Sequence, residues 1–123
     1  MSAKRGGAGT AKPLPERQWQ TVVLRYARRH GWRFYHPLNS WGSAKGFPDL
    51  VLVRGERLIF AELKSDKGRA KPEQTEWLQA VAAAGAESYL WRPADVECVV
   101  ETLASRAAAG THAPPSPLGV GPE

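Results

Sequence analysis

The chain has 123 residues and a mass of 13.4 kDa, with 42% hydrophobic and 24% charged residues. This size and composition fit one folded domain with its own hydrophobic core and exclude a multi-domain enzyme. The single cysteine, Cys98, cannot form an internal disulfide, and no apolar run approaches the roughly 20 residues that a membrane span needs. We therefore expect a soluble cytoplasmic protein without a membrane partner.

Positive charge is concentrated in the N-terminal half of the chain. The formal net charge is +5, and residues 21–45 contain no acidic side chain. The basic residues of that stretch are Arg25, Arg28, Arg29, Arg33 and Lys45. A one-sided basic field suits a protein that binds nucleic-acid phosphates, but a solvated basic surface explains it equally well. Charge alone leaves both interpretations open.

The two ends of the chain differ in composition from the rest. Residues 1–13 are rich in Gly, Ala and Lys, and residues 109–123 are rich in Pro and Gly. Neither segment can bury enough apolar surface to fold. We expect a disordered basic tail over residues 1–13, a folded domain over residues 14–108 and a disordered tail over residues 109–123.

Helical spacing of apolar residues marks the first element, which we predict from Pro15 to His30. On a helical wheel Glu16 lies within about 60° of the centre of the apolar stripe, so it points toward the core side. An aromatic-rich segment, Trp32–Leu38, then predicts a first strand, which Pro37 closes. A Gly-containing loop follows, up to Gly46.

Two strongly apolar runs, Asp49–Val53 and Leu58–Lys64, predict the next two strands. They are separated by four residues in which Gly55 takes the first central position of a two-residue loop, typical of a type II′ hairpin. Both faces of these strands carry apolar side chains. The hairpin therefore belongs in the middle of a sheet covered by helices.

The remaining elements alternate in type. Pro72 can open a second helix that Gly85 ends, and Glu87–Trp91 predicts a fourth strand. Asp95 is placed to N-cap a last helix that extends to Leu103. The order is αβββαβα, which predicts a single α/β domain with a small mixed sheet flanked by helices.

The hairpin brings two carboxylates together. If Arg54 pairs with Arg57, then Asp49 faces Glu62 across the strands, with Cβ atoms about 5 Å apart, and Lys64 points to the same side. Two bare carboxylates at this distance repel unless a cation lies between them, and Mg²⁺ prefers such oxygen ligands. The Leu63 carbonyl is available as a further ligand. Ordinary charges at strand ends are the alternative interpretation.

The residues at this point resemble a known superfamily. Residues 46–81 read GFPDLVLVRGERLIFAELKSDKGRAKPEQTEWLQAV. This run resembles the PD-(D/E)XK nucleases, and over residues 14–103 the chain is most similar to small stand-alone VRR-NUC proteins of phages, relatives of Holliday junction resolvases. The resemblance implies a restriction-endonuclease-like core with the element order given above.

The resemblance also implies roles for individual residues. Asp49 and Glu62 would bind the metal, Lys64 would be the catalytic lysine, and Gln74 and Glu16 would support the site, with Glu16 as a further metal residue. The alternative for Gln74 is a cap on its own helix, and for Glu16 it is favourable placement in a first helical turn. The implied cofactor is Mg²⁺, with Mn²⁺ as a substitute and no small organic cofactor. The implied partners are DNA, including branched DNA, and a second copy of the chain. A phage protein of this kind would work in the cytoplasm of its bacterial host.

Basic and polar residues around the carboxylates are candidates for contacts with DNA phosphates. They are Ser40, Ser43, Lys45, Arg33, His36, Lys67, Arg69 and Lys71. A basic rim helps because a phosphodiester must approach a site that carries negative charge of its own.

The combined prediction is a Mg²⁺-dependent endonuclease that hydrolyses DNA phosphodiester bonds with a metal-activated water and is specific for branched structures such as a Holliday junction. One alternative is a non-catalytic nucleic-acid-binding module with the same fold. The clustered carboxylates count against it, since they stand where phosphates would bind. Another alternative is a structural protein with a solvated basic surface.

Overall fold

Residues 14–37 and 44–106 are described by the computed structural model of the chain. Three helices and four strands form in the order predicted from the sequence. They are α1 (Glu16–Arg29), β1 (Arg33–Tyr35), β2 (Leu50–Arg54), β3 (Arg57–Leu63), α2 (Pro72–Ala83), β4 (Glu87–Trp91) and α3 (Val96–Ala104), with a 3₁₀ turn at Pro93–Asp95 before α3. The predicted class, an α/β domain with a small mixed sheet, is confirmed.

The sheet has the strand order β1-β2-β3-β4, with antiparallel pairing up to β3 and parallel pairing between β3 and β4. Arg54 pairs with Arg57 and Leu50 pairs with Ala61, which confirms the register predicted for the hairpin. Gly55 has φ +61°, a conformation that a side chain disfavours, as the tight turn requires. One step beyond the Leu50 pair, this register sets Asp49 opposite Glu62.

The two faces of the sheet are covered differently. One face packs under α1 and α3, and its side chains join theirs in the hydrophobic core. The buried core residues are Trp19, Val23, Ala27, Trp32, Leu50, Leu52, Ile59, Ala61, Leu63, Trp91, Val99 and Leu103. The other face is covered by α2, which contacts β3 and β4. Alternation along the strands places Asp49 and Glu62 on the α2 face.

Two local predictions need correction. The first strand, Arg33–Tyr35, is shorter than the predicted Trp32–Leu38. It begins one residue late, after Trp32, whose side chain is buried in the core and whose Nε1 donates a hydrogen bond to the Leu103 carbonyl at 2.8 Å. The predicted last residue, Leu38, lies outside the described residues. The last helix begins where expected, but Asp95 makes no side-chain capping bond to it. Its Oδ2 instead accepts the Arg92 N–H at 2.9 Å and closes the preceding 3₁₀ turn.

Some predictions fall on segments outside the described residues. They include both tails, at residues 1–13 and 109–123, and the loop residues Ser40 and Ser43. Within residues 14–37 and 44–106, no helix has the length and apolar character needed to cross a membrane.

Candidate active site

The two carboxylates predicted to face each other meet at the end of the β2–β3 hairpin. Asp49 immediately precedes β2, and its Oδ2 accepts a hydrogen bond from the Leu63 N–H at 2.8 Å. This bond holds the Asp49 carboxylate against β3, beside Glu62. The Glu62 side chain is buried, with only 1% of its surface exposed. The pairing of the two strands therefore places the Asp49 and Glu62 carboxylates next to each other.

The Glu62 carboxylate is buried without hydrogen bonds. Neither Oε1 nor Oε2 has a hydrogen-bond partner among the described residues. Lys64 Nζ lies 3.1 Å from Oε2 and forms an ion pair with it. A buried polar oxygen that loses water and gains no partner destabilises the fold. One ammonium therefore leaves most of this carboxylate uncompensated.

Burial raises the pKa of both acids. It raises the pKa of Glu62 to about 7, the neighbouring Asp49 charge adds to the rise, and Lys64 opposes it. Burial also raises the pKa of Asp49, against the opposing effects of the hydrogen bond from the Leu63 N–H and of the Lys64 charge. Both shifts have the sign expected where a carboxylate loses its contact with water.

The donor set fits a hard divalent cation. Carboxylate oxygens are the ligands that Mg²⁺ prefers, and Mg²⁺ is held in proteins by one or two carboxylates together with water and substrate phosphates. Among the described residues no group of three or more His, Cys, Asp or Glu side chains is arranged to hold a metal. Asp49 and Glu62 therefore supply two carboxylates at this place, and the Leu63 carbonyl stays a predicted further ligand.

Lys64 is placed firmly although it follows the last residue of β3. Its N–H donates to the Trp91 carbonyl at 3.1 Å, which extends the parallel pairing to β4 by one residue. Its side chain is buried, with the ammonium beside Glu62. Lys64, the predicted catalytic lysine, therefore holds its charge beside the two carboxylates.

Glu16 is near the site without joining the carboxylate pair. Trp19 Nε1 donates to the Trp91 carbonyl at 2.9 Å, which anchors the first turn of α1 at the same end of the sheet. The helical wheel places Glu16 toward the core side of α1, but its side chain is exposed. Its charge makes the smallest contribution to raising the pKa of Glu62. The structure thus supports an electrostatic influence and shows no direct ligand geometry for Glu16.

Gln74 caps its own helix. Its Oε1 accepts the Lys71 N–H at 2.8 Å, across the first turn of α2. This is the structural alternative weighed for the residue from the sequence. Its role in the site remains a prediction, and in this structure the side-chain carbonyl is already engaged.

The loop after Lys64 carries three exposed basic residues beside the site, namely Lys67, Arg69 and Lys71. Arg92 holds this loop, donating to the Ser65 carbonyl at 2.7 Å and also to the Gly68 carbonyl. Lys45 is also exposed, and its Nζ lies 3.2 Å from Glu73 Oε2. That these four basic side chains form a rim around the carboxylates stays a prediction.

Two other candidates for DNA contact lie on β1 and directly after it. Arg33 pairs with Val53, four residues along β2 from Asp49, which corresponds to about 13 Å, so this residue is distant from the carboxylates. The His36 ring stacks on Phe34 with centroids 6.5 Å apart, and Phe34 pairs with Leu52 on the core face of the sheet. One step beyond the Tyr35–Val51 pair, the register sets His36 opposite Leu50, at the Asp49 end of β2 but on the other face of the sheet. Contact of His36 with DNA stays a prediction.

Sequence reasoning gave no role to Gly46, which allows the segment before Asp49 to pack against α2. Its φ is +83°, and a Cβ at this position would lie 2.6 Å from the main-chain carbon of Glu73. Trp77 Nε1 donates to the Lys45 carbonyl at 3.1 Å, and the Phe47 ring packs edge-on against Trp77 at 4.9 Å. The signal in the sequence is the glycine itself, because glycine suits both a positive φ and a close approach of two backbone segments.

Comparison with known proteins gives a consistent result. A family model described as "VRR-NUC domain" matches residues 13–94. A solved structure named "VRR_NUC domain protein" is similar to the chain, with 26% sequence identity and a TM-score of 0.60, over 75% of this chain and 89% of the other. A search of curated proteins finds no significant match. The family match covers both carboxylates and Lys64.

Proposed function

The chain belongs to the VRR-NUC domain family, and on that premise we propose that it is a Mg²⁺-dependent endonuclease that hydrolyses phosphodiester bonds in DNA. The family and the similar solved structure support a nuclease fold. The observation that carries the metal-dependent activity is the Glu62 carboxylate, buried against Asp49 with both of its oxygens lacking a hydrogen bond.

Asp49 and Glu62 hold the divalent cation, with the Leu63 carbonyl as a further ligand. When bound, Mg²⁺ or Mn²⁺ supplies positive charge that polarises a phosphate and activates water near neutral pH. The Leu63 N–H fixes Asp49, and burial in β3 fixes Glu62, so the two acids are positioned before any substrate arrives. This preorganisation lowers the cost of assembling the site during the reaction.

Lys64 stabilises negative charge that develops on the scissile phosphate. Its ammonium lies at 3.1 Å from Glu62 Oε2 and can reach a phosphate oxygen bound beside the carboxylates. Lys45, Lys67, Arg69 and Lys71 attract the DNA backbone toward an otherwise acidic pocket. Glu16 acts through its charge, from the first turn of α1.

The proposed substrate is branched DNA such as a Holliday junction, and the proposed assembly is a homodimer. A domain of this size offers little surface for DNA, so two copies would be needed to contact two arms and cut symmetrically. The sequence resemblance to junction resolvases supports both proposals.

The function is tested by incubating the protein with a labelled four-way junction, flap, single strand and duplex, in Mg²⁺, in Mn²⁺ and in EDTA. We expect metal-dependent cleavage that Glu62→Gln lowers by more than about 100-fold, because changes to residues that only support metal ligands already cost 10–100-fold. The matched control is Glu56→Gln, which removes the same charge from an exposed position at the far end of the hairpin. DNA binding by the wild-type protein without cleavage of any substrate would contradict the proposal and favour the binding module.

A further inference from the structure

The solvent side of α1 is a basic surface without a counter-charge. Arg17, Arg25 and Arg29 are exposed, and their guanidinium groups have no hydrogen-bond or ion-pair partner among the described residues. Arg28 is exposed on the same side, with its guanidinium carbon 5.2 Å from the centre of the Phe34 ring. These four arginines, here called the arginine face, lie within about 120° of one another on the helical wheel. Glu16, the single acid of α1, lies outside that arc.

The arginine face extends from the candidate active site to the opposite end of the sheet. From Arg17 to Arg29 it measures about 18 Å, at 1.5 Å per residue. The Trp19 bond to the Trp91 carbonyl fixes its first turn beside the site, and Arg54 Nη1 donates to the His30 carbonyl at 2.9 Å at the other end. This length spans about five base pairs of a duplex, at 3.4 Å per base pair.

We propose that the arginine face binds the phosphate backbone of a nucleic-acid duplex, as a docking surface separate from the carboxylate site. The proposal deepens the proposed function and rests on it, since it takes DNA as the substrate. α1 covers the core face of the sheet, whereas Asp49 and Glu62 lie on the α2 face. The phosphates bound by the arginine face therefore belong to a different part of the nucleic acid from the bond that is cut.

The chemistry of α1 favours a duplex over other polyanions. Proteins that bind single strands stack bases on exposed aromatic side chains, but Trp19 is buried and Tyr26 is half-buried against the core. A membrane-binding helix inserts its apolar side into lipid, whereas the apolar side of α1, with Val23 and Ala27, is fully used in the core. Exposed guanidinium groups spread along one side of the helix can each pair with a backbone phosphate.

The test is a salt series of duplex binding, measured by fluorescence anisotropy in EDTA so that nothing is cut. The variant Arg17→Gln/Arg25→Gln/Arg29→Gln removes three charges from exposed side chains without a hydrogen bond or ion pair among the described residues, so we expect it to fold as the wild type does. Its dissociation constant for a 30-base-pair duplex should rise by at least about tenfold. The slope of log affinity against log salt should fall by about two to three, because each lost phosphate contact lowers it by about one.

Two further variants sharpen the result. Arg17→Lys/Arg25→Lys/Arg29→Lys keeps the charge and should keep the wild-type salt slope. Lys67→Gln/Arg69→Gln/Lys71→Gln also removes three positive charges, but from the rim. Comparing the duplex affinities of the two glutamine variants separates the effect of where the charges lie from the effect of the net charge. If the α1 glutamine variant retained the wild-type affinity and slope, the proposal would be wrong. If it lost binding to vesicles containing phosphatidylserine while keeping duplex binding, α1 would instead be a membrane-facing surface.

This experiment separates failure of the docking surface from failure of the proposed function. Duplex binding that depends on the arginine face, in a protein that cuts no DNA, would leave the docking surface intact and refute the nuclease. Metal-dependent cleavage by a protein whose duplex binding does not change when the arginine face is altered would support the nuclease and refute the docking surface.

Discussion

The two ends of the β2–β3 hairpin bury charges in opposite ways. At the turn end, Arg57 is buried, and its charge and its hydrogen-bond donors are satisfied. Its guanidinium donates two hydrogen bonds to the Glu87 carboxylate, at 2.7 and 2.8 Å, and one to the Thr102 carbonyl at 2.9 Å. At the other end, Glu62 is buried as deeply, yet neither of its oxygens has a hydrogen bond among the described residues.

The turn end explains how buried charge can hold a fold together. Arg54 and Arg57 lie over the Trp32 ring at 4.6 and 4.9 Å from its centre, and both donate to the Ser105 carbonyl after the last turn of α3. The turn end is thus an internally satisfied network that fastens α3 to the hairpin. The unsatisfied carboxylate on the same two strands is the feature that the proposed divalent-metal site would explain.

The largest expected effect is at the turn end. Arg57→Ala leaves Glu87 buried without its cation and should lower the free energy of unfolding by about 3–5 kcal/mol, measured by urea denaturation. The double variant Arg57→Met/Glu87→Leu should recover part of this loss, because no unpaired charge then remains. A loss below about 1 kcal/mol in the single variant would mean that the network does not hold α3.

At the carboxylate end of the hairpin, removing the charge of the buried side chain should stabilise the metal-free protein. In the absence of metal at pH 8, Glu62→Gln should raise the free energy of unfolding by about 1–3 kcal/mol, because a neutral amide replaces a buried carboxylate whose pKa is raised to about 7. The same variant should lose cleavage. Glu56→Gln, on the exposed turn, should change neither. If Glu62→Gln destabilised the metal-free protein as Arg57→Ala does, the two ends would not differ as described.

The pH dependence follows from the same carboxylate. The pKa of Glu62 is raised from an ordinary value of 4.5 to about 7 in the folded protein, so between these values the folded state binds more protons than the unfolded state. Stability of the metal-free protein should therefore fall as pH rises from about 5 to 8. Glu62→Gln should flatten this profile in thermal denaturation, whereas an unchanged slope would contradict the assignment. Adding Mg²⁺ at pH 8 should restore stability to the wild type and not to the variant.

A smaller effect is expected at the glycines that position the two ends. Gly46→Ala places a Cβ against the Glu73 main chain at 2.6 Å, and should cost about 2 kcal/mol and lower cleavage, since Asp49 lies three residues later. Gly55→Ala is the matched control: its φ is also positive, but a Cβ there meets nothing within 4 Å. It should cost about 1 kcal/mol and leave cleavage unchanged. Equal losses of cleavage in the two variants would contradict the positioning role of Gly46.

The smallest effect concerns the outer part of the turn-end network. Tyr89 donates to Glu87 Oε1 at 2.7 Å. Tyr89→Phe should cost about 1 kcal/mol in urea denaturation, because Glu87 keeps both bonds to Arg57. A loss as large as that of Arg57→Ala would show that the hydroxyl, rather than the guanidinium, sustains the network.

The sequence allowed the carboxylate end of the hairpin to be predicted better than the turn end. A two-residue loop at Gly55 and Glu56 fixes the register, and the period of two then places Asp49 opposite Glu62. The partner of Arg57 could not be found in this way. Glu87 lies 30 residues later on a parallel strand, and no local pattern sets that pairing.

Other local features depend on packing that periodicity does not describe. The late start of β1 accompanies the Trp32 hydrogen bond to α3, and the change of role at Asp95 follows from the 3₁₀ turn before the helix. The fit of Gly46 against Glu73 requires the position of α2 relative to the loop before β2. The Trp32 and Gly46 contacts join segments that are distant in sequence, whereas the Asp95 bond to Arg92 is local and belongs to the 3₁₀ turn.

The most direct test of the carboxylate pair is a Mn²⁺ titration of the protein without DNA at pH 7.5, followed by electron paramagnetic resonance. The wild type and Glu56→Gln should show the same saturable binding, and Glu62→Gln should lose it. Equal binding by all three proteins, or by none, would contradict a divalent-metal site formed by Asp49 and Glu62.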